Sequence, residues 1–241
     1  MAVMTDAHAN LPALRAALTA IRAEGCDRIY HTGDAIGIGP YPAECLDLLL
    51  DTPGARLVMG NHDAWFAFGL PTPRPPWMSE GELRHQLWTH AQLDPALRPV
   101  VAGWPYARDE HIEGGHVRFL HYALDETGRG FRWLGPDPRP EELDVVFGEE
   151  AHLYCFGHDH APRDVQGRAR YLNPGALGCS VEPVARFAIV GIEAGRITTG
   201  LHSVPYDDAE LIREFARREV PERAFILRTF FGRASPWLSG G

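Results

Sequence analysis

The sequence predicts an α/β domain in which two sets of strands carry helices on both outer faces. Three observations lead there. The first quarter of the chain alternates strand, helix, strand, helix, strand, the pattern of βαβ units and a mostly parallel sheet. The later strands follow one another without helices between the last few, so that half is more antiparallel. A chain of 241 residues, 45% of them hydrophobic, can bury one large core, and residues 1–241 read as a single domain.

The elements follow in order. "AVMTD" reads as a short buried strand. "NLPALRAALTAIRAEG" reads as a helix: Asn10 can cap it, a proline falls in its first turn, and Leu11, Leu14, Leu18 and Ile21 recur on one face before Gly25 ends it. "RIYHTGD" is a second strand and "PAECLDLLLDTPG" a second helix. "ARLVMGNHD" is a third strand running into a loop. The rhythm then breaks. Residues from about 64 to 115 form a helical and loop insertion, proline-rich at "LPTPRPPW", with a helix opened by Ser79 in "SEGELRHQLWTHAQL". Strands return at "HVRFLHYAL", "LYCFGHDH", "ARYLNPG", "RFAIVGIE" and "RITTGLHSV". A helix in "DDAELIREFARRE" closes the reading.

Composition excludes several function classes. No run of 18 apolar residues occurs, so no membrane span is expected. The start "MAVMTDAHAN" lacks the basic and apolar regions of a signal peptide, and a cytoplasmic protein is the expectation. All 23 basic residues are arginine, which rules out Schiff-base chemistry and a P-loop lysine. A net charge of −9 argues against an extended nucleic-acid surface. Cys26, Cys45, Cys155 and Cys179 are scattered, form no CxxC pair, and read as small buried apolar residues.

Polar clusters gather at the carboxyl ends of the predicted strands, the edge where α/β sheets bind ligands. Strand one ends in Asp6 and His8, strand two in Asp34, and strand three in Asn61, His62 and Asp63. Later strands end at His121 and at His158 and His160. Carboxylates, imidazoles and an amide oxygen are ligands for divalent metals such as Mn, Fe or Zn, and there are too many for one tetrahedral zinc. In extended backbone the pairs Asp6/His8 and His158/His160 point to one side. Glycines before Asp34, Asn61 and His158 allow close backbone approach.

The order D-x-H, G-D, G-N-H-D, H, G-H-x-H resembles the calcineurin-like metallophosphoesterases, and is closest to their small bacterial and archaeal phosphodiesterase-like branch. "GDAIGIGPYPAECLDLL", "YLNPGALG" and "VPYD" extend the likeness from residue 4 to about residue 207. The resemblance implies a four-layer α/β/β/α sandwich of two mixed sheets. It implies two divalent ions, manganese first, with Fe, Zn, Co or Ni as alternatives. Asp6, His8 and His160 would hold one ion; Asn61, His121 and His158 would hold the other; Asp34 would bridge them. His62 would face the substrate and assist the leaving group, with Asp63 either orienting it or capping a helix. The family usually has D-x-H-G-N where this chain has Ala9, a threonine where it has Asp159, and a glycine after the histidine at 121. Asp159 is expected to face away from the cluster. Arg163 is expected to be exposed.

Two ions about 3.5–4 Å apart lower the pKa of a shared water and supply hydroxide for in-line attack on phosphorus. The resemblance to the phosphodiesterase-like branch implies a phosphodiesterase acting on a small phosphate ester. A phosphomonoesterase or nucleotidase, and a non-catalytic scaffold of the same fold, are the alternatives; a homo-oligomer is compatible with the sequence. "DAHAN" also resembles the D-A-H-x-D stretch of arginases and deacetylases, but that site needs an aspartate at Asn10 and a later D-x-D pair. Trp65, Phe66, Phe68, Trp77 and Trp88 either wall the site or form the core of the insertion.

Overall fold

The computed structural model describes residues 1–26 and 28–233, so the end of the single domain expected over 1–241 lies outside the described residues. Its first sheet holds β1 (Ala2–Met4), β2 (Ile29–His31), β3 (Ala55–Leu57), β9 (Val184–Glu193) and β10 (Arg196–Pro205), in the order β10-β9-β1-β2-β3. The second holds β4 (Ala107–Ile112), β5 (Gly115–Leu120), β6 (Leu153–Cys155), β7 (Arg163–Gln166) and β8 (Arg170–Asn173), in the order β4-β5-β6-β8-β7. Both sheets are mixed. β1, β2 and β3 are parallel, as are β5, β6 and β8, while β9, β10, β4 and β7 run antiparallel to their neighbours.

The period of two along a strand builds the layers. Val3, Tyr30 and Val58 point between the sheets and meet Val117, Phe119, Leu153 and Cys155. Tyr30 stacks on Phe119 with ring centroids 3.8 Å apart. The alternate residues Ala2, Met4, Ile29 and Leu57 point outward, where α1 (Leu11–Ala23), α2 (Pro42–Leu50), α7 (Ala209–Arg217) and α8 (Arg223–Phe231) cover them with Leu14, Leu18, Leu46, Phe215 and Leu227. On the far face, α6 (Pro140–Phe147) sets Leu143 and Phe147 against Tyr154 and Tyr171. The result is a four-layer α/β/β/α sandwich. No helix of the described residues is long and apolar enough to cross a membrane.

Asn10 caps α1 as expected, its side chain accepting from the Ala13 amide at 3.1 Å. The same side chain donates to Gly178 O and to the Tyr206 hydroxyl, tying the start of α1 to two later segments. Ser79 caps α4 (Glu80–Ala91) by accepting from Glu82. Three expectations are corrected. "GNHD" is not a loop: Gly60 caps α3 (Asn61–Phe68), which starts at Asn61. The stretch 64–115 holds most of α3, all of α4, a 3-10 turn at Pro95–Leu97 and α5 (Arg98–Ala102), but its end is β4, an edge strand of the second sheet. β7, α6 and α8 are elements that periodicity did not assign.

Candidate metal centre

β1, β2, β3, β5 and β6 all present their carboxyl ends to one edge, and the candidate ligands follow those ends directly. The backbone there is not extended, which corrects the basis on which the paired ligands were expected to share a side. Asp6, His8, Asp34, His158 and His160 all have positive φ, between 45° and 72°. Left-handed backbone costs a non-glycine residue about 1–3 kcal/mol, a strain characteristic of functional sites. Turning sharply at each strand end aims both members of each pair at a common point. Gly60 and Gly157 let the ends approach: a Cβ at Gly60 would overlap Asp34, and one at Gly157 would overlap Thr5 and Asp6.

The ligand atoms form two groups. In the first, His8 Nε2 lies 2.9 Å from His160 Nε2, 3.5 Å from Asp6 Oδ1 and 3.9 Å from Asp34 Oδ2. In the second, His121 Nε2 lies 3.1 Å from His158 Nδ1, 3.2 Å from Asn61 Oδ1 and 3.4 Å from Asp34 Oδ2. Ligands about 2.1 Å from one ion lie roughly 3.0 Å apart when adjacent and up to about 4.2 Å apart when opposite, and the distances in both groups are of that order. The same oxygen, Asp34 Oδ2, belongs to each.

Neighbouring groups aim these atoms. His8 Nδ1 donates to Ile36 O and His121 Nδ1 to Thr32 O, which turns both Nε2 lone pairs to the centre. Asp34 Oδ1 accepts from the His62 amide, leaving Oδ2 free. Asp6 Oδ2 accepts from the Thr5 hydroxyl and the His158 amide, while Oδ1 is buried without a hydrogen-bond partner. A buried carboxylate oxygen with no donor is costly unless a cation faces it. The residues therefore fit a pair of divalent ions.

The electrostatics point the same way. Burial opposes charge on both carboxylates, yet the surrounding imidazoles hold Asp6 and Asp34 well below the usual carboxylate range. Burial also opposes charge on His121, but the adjacent Asp34 pushes it up to about 9. Burial pushes His158 and His160 down to about 4. Such crowding of carboxylates and imidazoles suits divalent cations, which displace the proton held on His121 and bind the deprotonated forms of both.

His62 stands beside the centre, with Nε2 3.9 Å from Asp34 Oδ2. Gln86, from α4, donates to His62 Nδ1 at 2.9 Å. That bond places the ring proton on Nε2, facing the ligands. Burial, opposed by Asp34, pushes His62 down to about 4, so its neutral form prevails at neutral pH. The Asp63 carboxylate makes no hydrogen bond to the His62 ring. It accepts from the amides of Asp34, Ala35 and Gly60, clamping the Asp34 turn to the start of α3. Burial and the Asp34 charge raise Asp63 to about 7, while the bonded amides pull against them. Asp63 is thus a positioning residue for Asp34, and the reading that it orients His62 is corrected.

Other readings are corrected as well. Asp159 turns away from the centre but is buried, bonded to Arg163 and Asn173, and Arg163 is itself buried rather than exposed. Cys179 is buried, yet its sulfur lies within 4.8 Å of ligand atoms of His8 and His160. Phe66 joins the core, whereas Trp65 and Trp77 line a cleft beside Asn61 and His158. Sequence reasoning missed Gln86. Its only local sign is a polar residue on a buried helix face, since the partner lies 24 residues away.

Comparisons with known proteins agree with this fold. An uncharacterized protein of Methanocaldococcus jannaschii is 26% identical over 239 residues, covering 92% of this chain and 94% of its own. The crystal structure of a metallophosphoesterase from Sphaerobacter thermophilus matches with a TM-score of 0.72 and 25% identity, over 95% of this chain and 98% of that one. A hypothetical protein from Pyrococcus horikoshii matches with a TM-score of 0.80 at 20% identity, over 97% and 98% of the two chains. The model of the calcineurin-like phosphoesterase superfamily domain matches residues 1–195, and the chain belongs to that family of metal-dependent phosphoesterases.

Proposed function

We propose that this protein is a phosphodiesterase whose active site is built on two divalent ions, manganese first among them, bridged by Asp34. The observation that carries the reading is the shared oxygen: Asp34 Oδ2 lies 3.9 Å from His8 Nε2, 3.4 Å from His121 Nε2 and 3.9 Å from His62 Nε2. Bound ions would supply the Lewis acidity that activates a water and offsets charge on the phosphoryl oxygens.

The chain's own residues do the rest. Asp6, His8 and His160 would hold one ion, and Asn61, His121 and His158 the other, with Asp63 keeping the Asp34 turn in place. His8 and His121 are fully buried, whereas the His62 and His160 side chains keep 12% and 24% exposure, so substrate approaches on that side. The P–O bond to the leaving group breaks as the bond from the water oxygen forms, and the leaving oxygen ends with a proton that derives from water. His62 Nε2–H hydrogen-bonds that oxygen as charge develops on it. The products are a phosphomonoester and an alcohol or phenol.

The test is hydrolysis by Mn-loaded protein of a panel of diesters, monoesters and nucleotides. Diesters are expected to turn over at least tenfold faster than monoesters. Turnover of monoesters alone would favour a phosphatase, and no turnover of any ester would contradict the reading.

A further inference from the structure

Two clefts meet at His62, Trp77 and Glu82, which line both. The first, of about 420 Å³, lies between α4 and α8 and has no candidate metal ligand in its wall. Trp77, Phe225, Ile226 and Phe230 supply most of its apolar surface, and His62 and Gln86 border it. The second, of about 620 Å³, opens from Asn61 and His158 toward Trp65, Phe131 and Trp133, with Arg129 at its wall. Trp77 is 63% exposed and Phe225 50% exposed, so broad aromatic faces stand open beside a polar centre, where a ligand rather than the core would cover them.

Charge differs between the clefts: Glu82 lines both, Glu222, paired with Arg84, lines the first alone, and Arg129 lines the second alone. An arm bearing a further phosphate would meet like charge there. His62 would hydrogen-bond the leaving oxygen, and beyond His62 the first cleft gives the arm on that oxygen a place clear of every candidate ligand. The arm that stays with phosphorus remains against Asn61 and His158, in the second cleft.

Resting on the phosphodiesterase reading, we infer that the substrate is a diester whose leaving arm is an uncharged planar aromatic group, of aryl or nucleobase size, seated against Trp77 and Phe225. The volume of the first cleft lies within the range of small-molecule sites, and aromatic walls bind planar rings by offset or edge contacts.

Binding and kinetics test this separately. Diphenyl phosphate, titrated calorimetrically into the Mn-loaded full chain, is expected to bind Phe225→Ala at least fivefold more weakly than the parent. Phe225→Tyr, which keeps the ring, is expected to restore the affinity, and Val145→Ala, on the exposed face of α6, to leave it unchanged. With bis(p-nitrophenyl) phosphate as substrate, Phe225→Ala is expected to raise KM at least fivefold while kcat stays within twofold and metal content is unaltered. Equal affinity of the parent and Phe225→Ala for diphenyl phosphate, or no binding by the parent, would overturn the inference whether or not any ester is hydrolysed. Failure of hydrolysis with the binding difference intact would count against the phosphodiesterase reading instead.

Discussion

Asn61 and His62 are adjacent in sequence, yet Asn61 faces His121 and His158 while His62 faces Gln86. That division leads to contrasting variants. His62→Ala is expected to keep its metal and lose at least tenfold in turnover, the loss being larger for esters with poor leaving groups. His158→Ala is expected to lose metal and activity together. Elemental analysis beside rates on nitrophenyl and alkyl diesters checks both, and metal loss in His62→Ala would contradict the role given to it. Gln86→Leu removes the donor that selects the His62 tautomer. One hydrogen bond is worth about 1 kcal/mol, so kcat is expected to fall about fivefold on poor leaving groups. The ¹⁵N shifts of the His62 ring should show the Nδ1–H form gaining population; an unchanged tautomer would contradict the assignment. The candidate ligands were legible because their chemistry is rare and they fall at strand ends. Gln86, and the Asp159–Arg163 pair, were not, because burial and a distant partner give them their meaning.

Elements with strong local signals were legible, and those defined by their neighbours were not. α1 carries its own cap and apolar stripe, and α4 its own cap. β4 (ARDEHI) and β7 (RDVQ) are edge strands with polar side chains and little alternation to read. α8 (RAFILRTFF) is rich in aromatic residues of high strand preference, and packing rather than propensity makes it helical. The strand ends were assigned correctly in place but not in conformation, because the left-handed turns at Asp6, His8, His158 and His160 are held by contacts between ends. Asn10 is where an element and the site meet. Its amide caps α1 and anchors Gly178, whose own amide bonds Asp6 O. Asn10→Ala is expected to cost about 2 kcal/mol, a lost cap and unsatisfied buried partners together. Urea denaturation should show the fall in midpoint, and a change under about 0.5 kcal/mol would mean that water replaces the amide.

At the scale of the molecule, two sheets close on each other so that their strand ends meet along one edge. Parallel order within β1–β2–β3 was readable from the alternation of strands and helices; that of β5–β6–β8 was not, because α6, the helix between β5 and β6, was not assigned and the later half read as more antiparallel. The stacking of one sheet on the other was legible only through the family resemblance and not from periodicity, since contacts such as Tyr30 with Phe119 join distant segments. Both sheets contribute to the centre: Asp6, His8, Asp34 and Asn61 follow strands of the first, and His121, His158 and His160 strands of the second. Metal should therefore bind folded chain far better than unfolded. At a hundredfold excess over Kd, one ion contributes about 2.7 kcal/mol. For a chain of this size, Tm is expected to rise by roughly 5–10 °C on loading and to return on chelation. Scanning calorimetry with and without chelator measures it, and an unchanged Tm would separate metal binding from the closure of the sheets. The most direct measurement of the central claim is the number of ions per chain. Elemental analysis of Mn-loaded, desalted protein should find close to two ions per chain, and Asp34→Asn should lower the occupancy of both sites because one carboxylate oxygen serves each. At most one ion in the parent protein, or an Asp34→Asn variant that keeps two, would contradict the bridged site.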